Sequence, residues 1–253
     1  MRRCLGRQAD SSACAILPKR LGNTRRKAVR LSVIVPIYNE VATIALLVER
    51  VRAVKVDKEI VLVDDCSTDG TRDVLPGLAG DDAVVVYHTH NQGKGAAIRT
   101  GLAQASGEYV IVQDADLEYN PEDYARLLQP LLEGSADAVY GSRFLGRVRR
   151  MSYTQWLGNR ALTVLTNALY GTSLTDMETC YKVMPVSIAR SLRLRANRFD
   201  FEPEVTAKLL KRGLRIVELP IDYHAREQRE GKKISWRDGL PALWCLLKYR
   251  FVD

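Results

Sequence analysis

Asp114 and Asp116 flank a single residue, Ala115, just after the apolar run EYVIVQ at 108–113. Two carboxylates held this close repel one another unless a cation or a proton relieves them. Magnesium favours one or two protein carboxylates together with substrate phosphates over an all-protein cage. In this reading Glu118 is a candidate third oxygen ligand. The stretch 110–124 carries seven acidic or amide side chains. A calcium loop of the EF-hand kind is excluded, because the glycine needed at its sixth position is Tyr119 here. A D-x-D pair also suits an exposed loop, so its meaning depends on where the fold puts it.

Other groups are placed to join it. Asp64, Asp65 and Asp69 follow a second apolar run, and a carboxylate at a strand end is suited to reading ribose hydroxyls. One of Ser67, Thr68 and Asp69 is expected to cap the following helix, which leaves Asp65 for a nucleotide. Gly93-Lys94-Gly95 opens a helix and is open to two readings. One is a phosphate cradle at a helix N-terminus; the other is a tight turn packed closely on a sheet. Neither the dinucleotide fingerprint nor the P-loop spacing is present. Asp176, Glu178, Asp200 and Glu202 can serve either as a base toward a hydroxyl acceptor or as structural acceptors for nearby arginines, and the structural reading is preferred. His88, His90 and His224 read as ordinary loop or strand-end residues.

The elements that must position these groups alternate. LSVIVPI (31–37), KEIVLVD (58–64), AVVVYH (83–88), EYVIVQ (108–113) and ADAVYG (136–141) are continuous, β-branched runs, as in a parallel sheet buried on both faces. Helical stretches lie near 40–53, 69–79, 94–105 and 121–133. The last starts with Asn120 as N-cap and Pro121 at the first helical position. Further helices are expected near 153–170, 201–212 and 236–250, with a strand at 214–219. This is the pattern of an α/β doubly wound domain, whose ligands sit beyond the carboxyl ends of the strands. Each polar cluster falls there: 36–40, 64–69, 91–95, 114–116 and 141–143. Five clusters on one edge predict a single site.

The charge is unevenly spread. The 253 residues carry a formal net charge of +8. Residues 1–30 hold nine Lys/Arg against one Asp, residues 31–140 eight basic against eighteen acidic, and residues 141–253 twenty-one against eleven. An acidic half suited to cations therefore precedes a basic half suited to anions. No nucleic-acid module signature accompanies the basic charge. The five cysteines form no C-x-x-C pair, so neither a zinc site nor a disulfide framework is indicated, and a reducing compartment fits. No run approaches the length of a membrane span. Residues 1–30 read as a basic, disordered tail.

Together, IVPIYNE, VLVDDCSTDGT, NQGKGAAIRTG, VIVQDADLEYNPED and GSRF resemble, in order, the motifs of the family-2 glycosyltransferases across 31–145. The later stretches LTDMETCYKVM, FDFEPEVTAKLLKRGLRIVELPI and YHAREQREGKKISWRDG look like the dolichol-phosphate and polyprenyl-phosphate mannosyl- and glucosyltransferases. The resemblance implies a GT-A fold, a doubly wound, mostly parallel sheet flanked by helices, over 31–235, followed by an amphipathic C-terminal helix over 236–253. It implies a metal-dependent, inverting transfer of mannose or glucose from a GDP- or UDP-sugar to a polyprenyl phosphate. A glycan hydroxyl acceptor and a nucleotidyltransferase are the alternatives.

Residue by residue, it implies donor contacts from Pro36, Tyr38, Glu40, Asp65, Asp114, Ala115 and Asp116. Asp114, Asp116 and Glu118 would hold Mg2+ or Mn2+. Arg143, Arg226, Lys232 and Lys233 would meet the donor or acceptor phosphates, with Asp116 and Arg143 nearest the chemistry. Glu118 stands where many relatives carry Gln, and the 226–231 loop is two residues longer than the common form. WLGNRALTVLTNALY (156–170) and LPALWCLLKYRF (240–251) are amphipathic, and either dock on the cytoplasmic face of a membrane or cover the sheet.

Overall fold

The computed structural model describes residues 30–226 and 239–252. In chain order it contains β1 (Leu31–Ile37), α1 (Ile44–Ala53), β2 (Lys58–Asp64), α2 (Thr71–Leu78), β3 (Ala83–Tyr87), α3 (Lys94–Gln104) and β4 (Tyr109–Val112). A 3-10 turn at Pro121–Asp123 leads into α4 (Tyr124–Leu132). There follow β5 (Ala138–Ser142), β6 (Val148–Arg149), α5 (Tyr153–Tyr170), β7 (Lys182–Pro185), α6 (Val186–Ser191), α7 (Phe201–Lys211), β8 (Ile216–Pro220), β9 (Tyr223–His224) and α8 (Gly239–Phe251).

Seven strands form one sheet in the order β3-β2-β1-β4-β7-β5-β8. Six run parallel and β7 runs antiparallel between β4 and β5. The doubly wound α/β expectation is met, and the first five strands start and stop within about two residues of the expected bounds. β7 and α6 were not expected. KVMP is too short to carry a strand period, and its place between two strands is fixed by the pairing of Tyr109 with Pro185 and Val139 with Val183.

The central strands are buried on both faces, as their β-branched runs require. In β1 every residue but Pro36 is buried, and in β2 Ile60 through Asp64 are all buried. Helix α3 lies so close to the sheet that a side chain at Gly101 would collide with Ile34 of β1. The expected cap at 120 is present: the Asn120 side chain accepts from the Glu122 N–H, with Pro121 opening the turn. Helix α5 starts with a Ser152/Gln155 capping box.

Helix α8 packs on α5 and α7 around a small second cluster of Met177, Ala207, Cys245, Leu246 and Tyr249. The Tyr170 hydroxyl ties α5 to it by donating to the Leu246 carbonyl at 2.8 Å. No helix among the described residues is long and apolar enough to cross a membrane.

Candidate active site

The carboxyl ends of the parallel strands gather the polar loops on one edge, and hydrogen bonds knit the loops together. After β1, the Asn39 N–H donates to Ser67 Oγ at 2.9 Å, and the Thr68 N–H donates back to Asn39 Oδ1 at 2.8 Å. The Glu40 N–H donates to Thr71 Oγ1 at 2.9 Å. Three of the described non-glycine residues with positive φ lie in these loops: Asn39 at 53°, Cys66 at 64° and Leu117 at 63°. A left-handed backbone costs a leucine about 1–2 kcal/mol, so the surrounding bonds must hold it.

Asp65 is buried after β2 and fastens the next loop. Its Oδ1 accepts from the Gln92 N–H at 2.8 Å, and its Oδ2 from the Gly93 N–H at 2.7 Å. His88 Nδ1 lies 2.8 Å from the same Oδ1, and its Nε2 lies 2.9 Å from Thr100 Oγ1. Asp65 therefore reaches the site as a loop anchor with both oxygens engaged. His88, read as an ordinary strand-end residue, orients it. The signal was available: a histidine immediately after β3 at the same edge.

Of the two readings of Gly93-Lys94-Gly95, the structure supports close packing. Gly93 adopts φ 96°, and a side chain there would collide with the Asn197 carbonyl, as one at Gly95 would with Ala196. The Asn197 carbonyl also takes the Ala96 N–H at 3.2 Å, and Asp65 takes those of Gln92 and Gly93. Lys94, between the glycines, has a role that sequence reading missed. Its Nζ bridges Asp114 at 2.8 Å and Glu202 of α7 at 3.0 Å. Burial alone pulls the ammonium down, but Asp114, Cys180 and Glu202 outweigh it and hold the group well above its ordinary value.

After β4, buried Gln113 accepts the hydroxyls of Tyr124 (2.6 Å) and Tyr181 (2.5 Å) and donates to the Asp114 carbonyl at 2.9 Å. A polar residue ending an apolar strand was its only sequence signal. Asp116 accepts one bond, from the Glu118 N–H at 3.1 Å. Burial first, then the nearby Asp114 and Glu118 carboxylates, push its carboxyl up to about 8. Glu118 stands beside the pair. Its Oε2 accepts from the Tyr223 hydroxyl and its Oε1 from the Arg226 N–H at 2.7 Å. Among the described residues, no group of three carboxylate, histidine or thiol side chains forms a ready metal cage. What the edge offers a divalent ion is the Asp114–Asp116 pair: hard oxygen donors whose like charge Lys94, on Asp114, and Arg226, near Asp116, relieve only in part. That chemistry fits Mg2+ or Mn2+ completed by substrate phosphates.

Arg226 straps the first loop to the fourth. Its guanidinium donates to Glu40 Oε1 at 3.2 Å and Oε2 at 2.7 Å, and its Nε to the Asp116 carbonyl at 2.9 Å. Burial lowers the Arg226 guanidinium, and Glu40, Asp116 and Glu118 more than offset this, leaving it raised. Arg143, expected on a phosphate, lies in a buried bidentate pair with Asp176, at 2.7 and 2.8 Å, and its own N–H donates to the same carboxylate at 3.0 Å. Its guanidinium also faces the Tyr223 ring at 5.2 Å, which links the fifth loop to the others. Pro36 and Tyr38 are half-buried at the end of β1, and Ala115 is buried between the two aspartates. Lys232, Lys233 and the 1–29 part of the basic tail lie outside the described residues.

Of the four carboxylates left between two roles, three act structurally. Asp176 holds Arg143, Glu202 holds Lys94, and Asp200 Oδ1 accepts from the Arg198 N–H at 3.2 Å. Glu178 differs. Its Oε1 is inaccessible with no hydrogen-bond partner, and burial followed by Glu202 pushes its carboxyl up to about 7.

Residues 32–193 match the model of glycosyl transferase family 2. The low-salt glycan biosynthesis hexosyltransferase Agl6 of Haloferax volcanii is 31% identical over 232 residues, covering 89% of this chain and 54% of its own length. An undecaprenyl-phosphate mannosyltransferase of Micrococcus luteus is 30% identical over 245 residues, covering 88% of this chain and 99% of its own. A polyprenol monophosphomannose synthase of Mycolicibacterium smegmatis is 31% identical over 215 residues, covering 81% of each. Among solved structures, Mycobacterium tuberculosis glucosyl-3-phosphoglycerate synthase superposes with a TM-score of 0.70 at 23% identity, over 89% of this chain and 82% of that one. Its complex with Mn2+, UDP and glucosyl-3-phosphoglycerate gives 0.69 at 22% identity, over 89% and 81%. At that identity the likeness is one of fold.

Proposed function

The chain belongs to glycosyl transferase family 2 and is a glycosyltransferase, and from that premise we propose that it moves a hexose from a nucleoside-diphosphate sugar to a polyprenyl phosphate. The observation that carries the site assignment is the Asp114–Asp116 pair, whose mutual repulsion and burial leave Asp116 raised to about 8. Support for the substrates comes from relatives named for polyprenyl-phosphate sugars and from a fold neighbour solved with Mn2+ and UDP. The unit 31–235 is the catalytic domain of this proposal.

Asp114 and Asp116 would hold Mg2+ or Mn2+. The ion, when bound, supplies charge neutralisation for the departing diphosphate. The remaining work falls to the chain. Lys94 and Gln113 fix Asp114, and Asp65 with His88 fixes the loop that carries Lys94. Glu40 and Arg226 close the mouth over Pro36, Tyr38, Ala115 and Asp116, the donor surface. Arg143 acts through Asp176 and Tyr223 as a positioning residue, while Lys232 and Lys233, outside the described residues, are assigned to phosphate in this proposal. An acceptor phosphate monoester is mostly dianionic at neutral pH, given a second pKa of about 6. Its oxygen attacks the anomeric carbon as the bond to the diphosphate breaks, with inversion and without a general base.

A polyprenyl acceptor lies in a membrane, and the surface suits one. Helix α8 leaves Leu240, Leu243, Trp244 and Phe251 exposed along one stripe, and α5 leaves Tyr153, Trp156, Leu157 and Val164. We place this face on the cytoplasmic surface of the bilayer as a peripheral contact.

Labelled GDP- and UDP-hexoses incubated with a short polyprenyl phosphate test the reading. Label should enter the lipid fraction, stop with EDTA, and fall by about two orders of magnitude or more in Asp116→Asn. Label appearing only in a soluble glycan would favour a hydroxyl acceptor, for which the raised Glu178 carboxyl is the available base. Label in neither fraction from any donor would sink both.

A further inference from the structure

The basic half was expected to supply arginines for phosphate, yet Arg143 and Arg226 are engaged by Asp176 and Glu40. Another set is not so engaged. Arg99 of α3, with Arg190 and Arg193 at and just beyond the end of α6, lines a groove of about 360 Å³ floored by Leu102, Ala103 and Leu194. Arg212 reaches the same end of α6, with its Nη1 donating to Ser191 Oγ at 2.6 Å. Among the described residues, none of these four guanidiniums makes an ion pair.

Two of them are fixed by neutral carbonyls, which leaves their charge uncompensated. Arg190 donates from Nη2 to the carbonyls of Leu102 (3.1 Å) and Ala105 (2.7 Å), and from Nε to Leu102 at 3.3 Å. Arg99 donates from Nη1 to the carbonyls of Arg195 and Ala196, each at 2.6 Å, and from Nη2 to Asn197 Oδ1 at 2.7 Å. Among the described residues, Nη1 of Arg190 and Nε of Arg99 have no acceptor. Capping the last carbonyls of α3 explains Arg190 without a ligand.

Arg193 has no such explanation. It is exposed and makes no side-chain hydrogen bond among the described residues, and its backbone sits at φ 50° just beyond α6, where its N–H donates to the Arg190 carbonyl at 3.2 Å. Glycine is preferred at that place by about 1 kcal/mol, and the sequence keeps an arginine instead.

We propose that this groove is a second binding site, for a phosphate group with an apolar neighbour, separate from the carboxylate edge. The guanidinium fork matches phosphate oxygens, and the unused donors are already held in place. Leu102, Ala103 and Leu194 receive the apolar neighbour. Arg190 grips the carboxyl-terminal end of α3, whereas the active-site loops meet its amino-terminal end, roughly 12 Å away along eight residues of helix. A free phosphate ester and a phospholipid headgroup share this chemistry. The groove also neighbours α8, since the Arg193 carbonyl accepts from Lys208 Nζ at 3.0 Å and that Nζ lies 4.5 Å from the Tyr249 ring.

Arg193→Gly tests the site without threatening the fold, because glycine suits the left-handed backbone. Its melting temperature should equal or exceed that of the parent. Inorganic phosphate is titrated into both proteins by calorimetry at low salt with EDTA. Flotation uses phosphatidylcholine vesicles with and without phosphatidic acid. Loss of one charge-assisted contact should weaken binding roughly tenfold in at least one arm. A loss confined to free phosphate identifies a soluble ester, and one confined to phosphatidic acid vesicles, with neutral vesicles unaffected, identifies a headgroup. Phosphate held at the active-site edge is common to both proteins and cancels in the comparison. Equal binding by parent and variant in both arms, or none by the parent, overturns the proposal.

Discussion

Asp116, half-buried, and Asp176, fully buried, are carboxylates at the same edge of one sheet, and their surroundings differ completely. Asp176 receives three N–H bonds from Arg143, two of them from a guanidinium that Asp176 itself helps hold well above its usual value against the pull of burial. Asp116 receives one, from its own loop, and faces Asp114 and Glu118. A buried charge that is compensated in place belongs to the frame. One that is left uncompensated stores a demand for a cation, and it costs stability until that demand is met.

The largest effect that separates the two is on stability. Asp176→Ala leaves Arg143 buried without a counter-charge and should cost about 3–5 kcal/mol. For a chain of this length that is a fall of roughly 10 °C in melting temperature. Asp116→Asn removes a repulsion and should leave the melting temperature of the metal-free protein unchanged or raised. Thermal unfolding followed by circular dichroism decides this. Similar losses in the two variants would break the distinction.

A second effect appears in the dependence on pH. The carboxyls of Asp116, raised to about 8, and Glu178, raised to about 7, keep protons in the folded state that the unfolded chain releases near 4 to 4.5. Where the folded state binds more protons, stability falls as pH rises. The penalty therefore grows between pH 5 and 8 and levels off above the folded values. Carboxylates held low, such as Glu204 and Asp69, have lost their protons in both states across that range and contribute no slope. The EDTA-treated protein should lose several degrees of melting temperature from pH 5 to 8. Asp116→Asn should flatten the profile up to 8, and Glu178→Gln only up to 7. A melting temperature that climbs over this window would contradict both assignments.

This contrast was half legible in the sequence. Five apolar runs ending in polar clusters, with a sixth at 214–219, marked six strands and the edge at which the loops meet, because parallel strands buried on both faces need continuous β-branched sequence. They could not reveal β7, whose four residues become a strand only through pairing with β4 and β5. Residue type also announced which side chains carry charge, but not which charges find each other. Asp65 and Arg143 were expected on a ligand because they follow strands at the edge. Gln92, Gly93 and Asp176, each more than twenty residues away, engage them instead. Lys94 and His88 were underrated for the same reason, since their partners are visible only in three dimensions.

Between the two extremes lies the Arg226–Glu40 strap, compensated like Asp176 yet near solvent like Asp116, with side chains 16% and 9% exposed. Its partial exposure predicts the smallest effect. Glu40→Gln retains the shape and one acceptor oxygen but removes the charge, which should lower stability by about 1 kcal/mol, or roughly 2–4 °C. Its local consequence should be larger. The Arg226 amide donates to Glu118, and the guanidinium is the only described side chain that bonds both the first loop and the Asp116 carbonyl. Loosening it should speed hydrogen exchange of the Arg226 and His224 amides several-fold while those of β1 and β2 stay unchanged. Faster exchange with little thermal loss would mark the strap as a releasable closure over the donor surface. A thermal loss as large as that of Asp176→Ala, with uniform exchange, would instead make it a second piece of the frame.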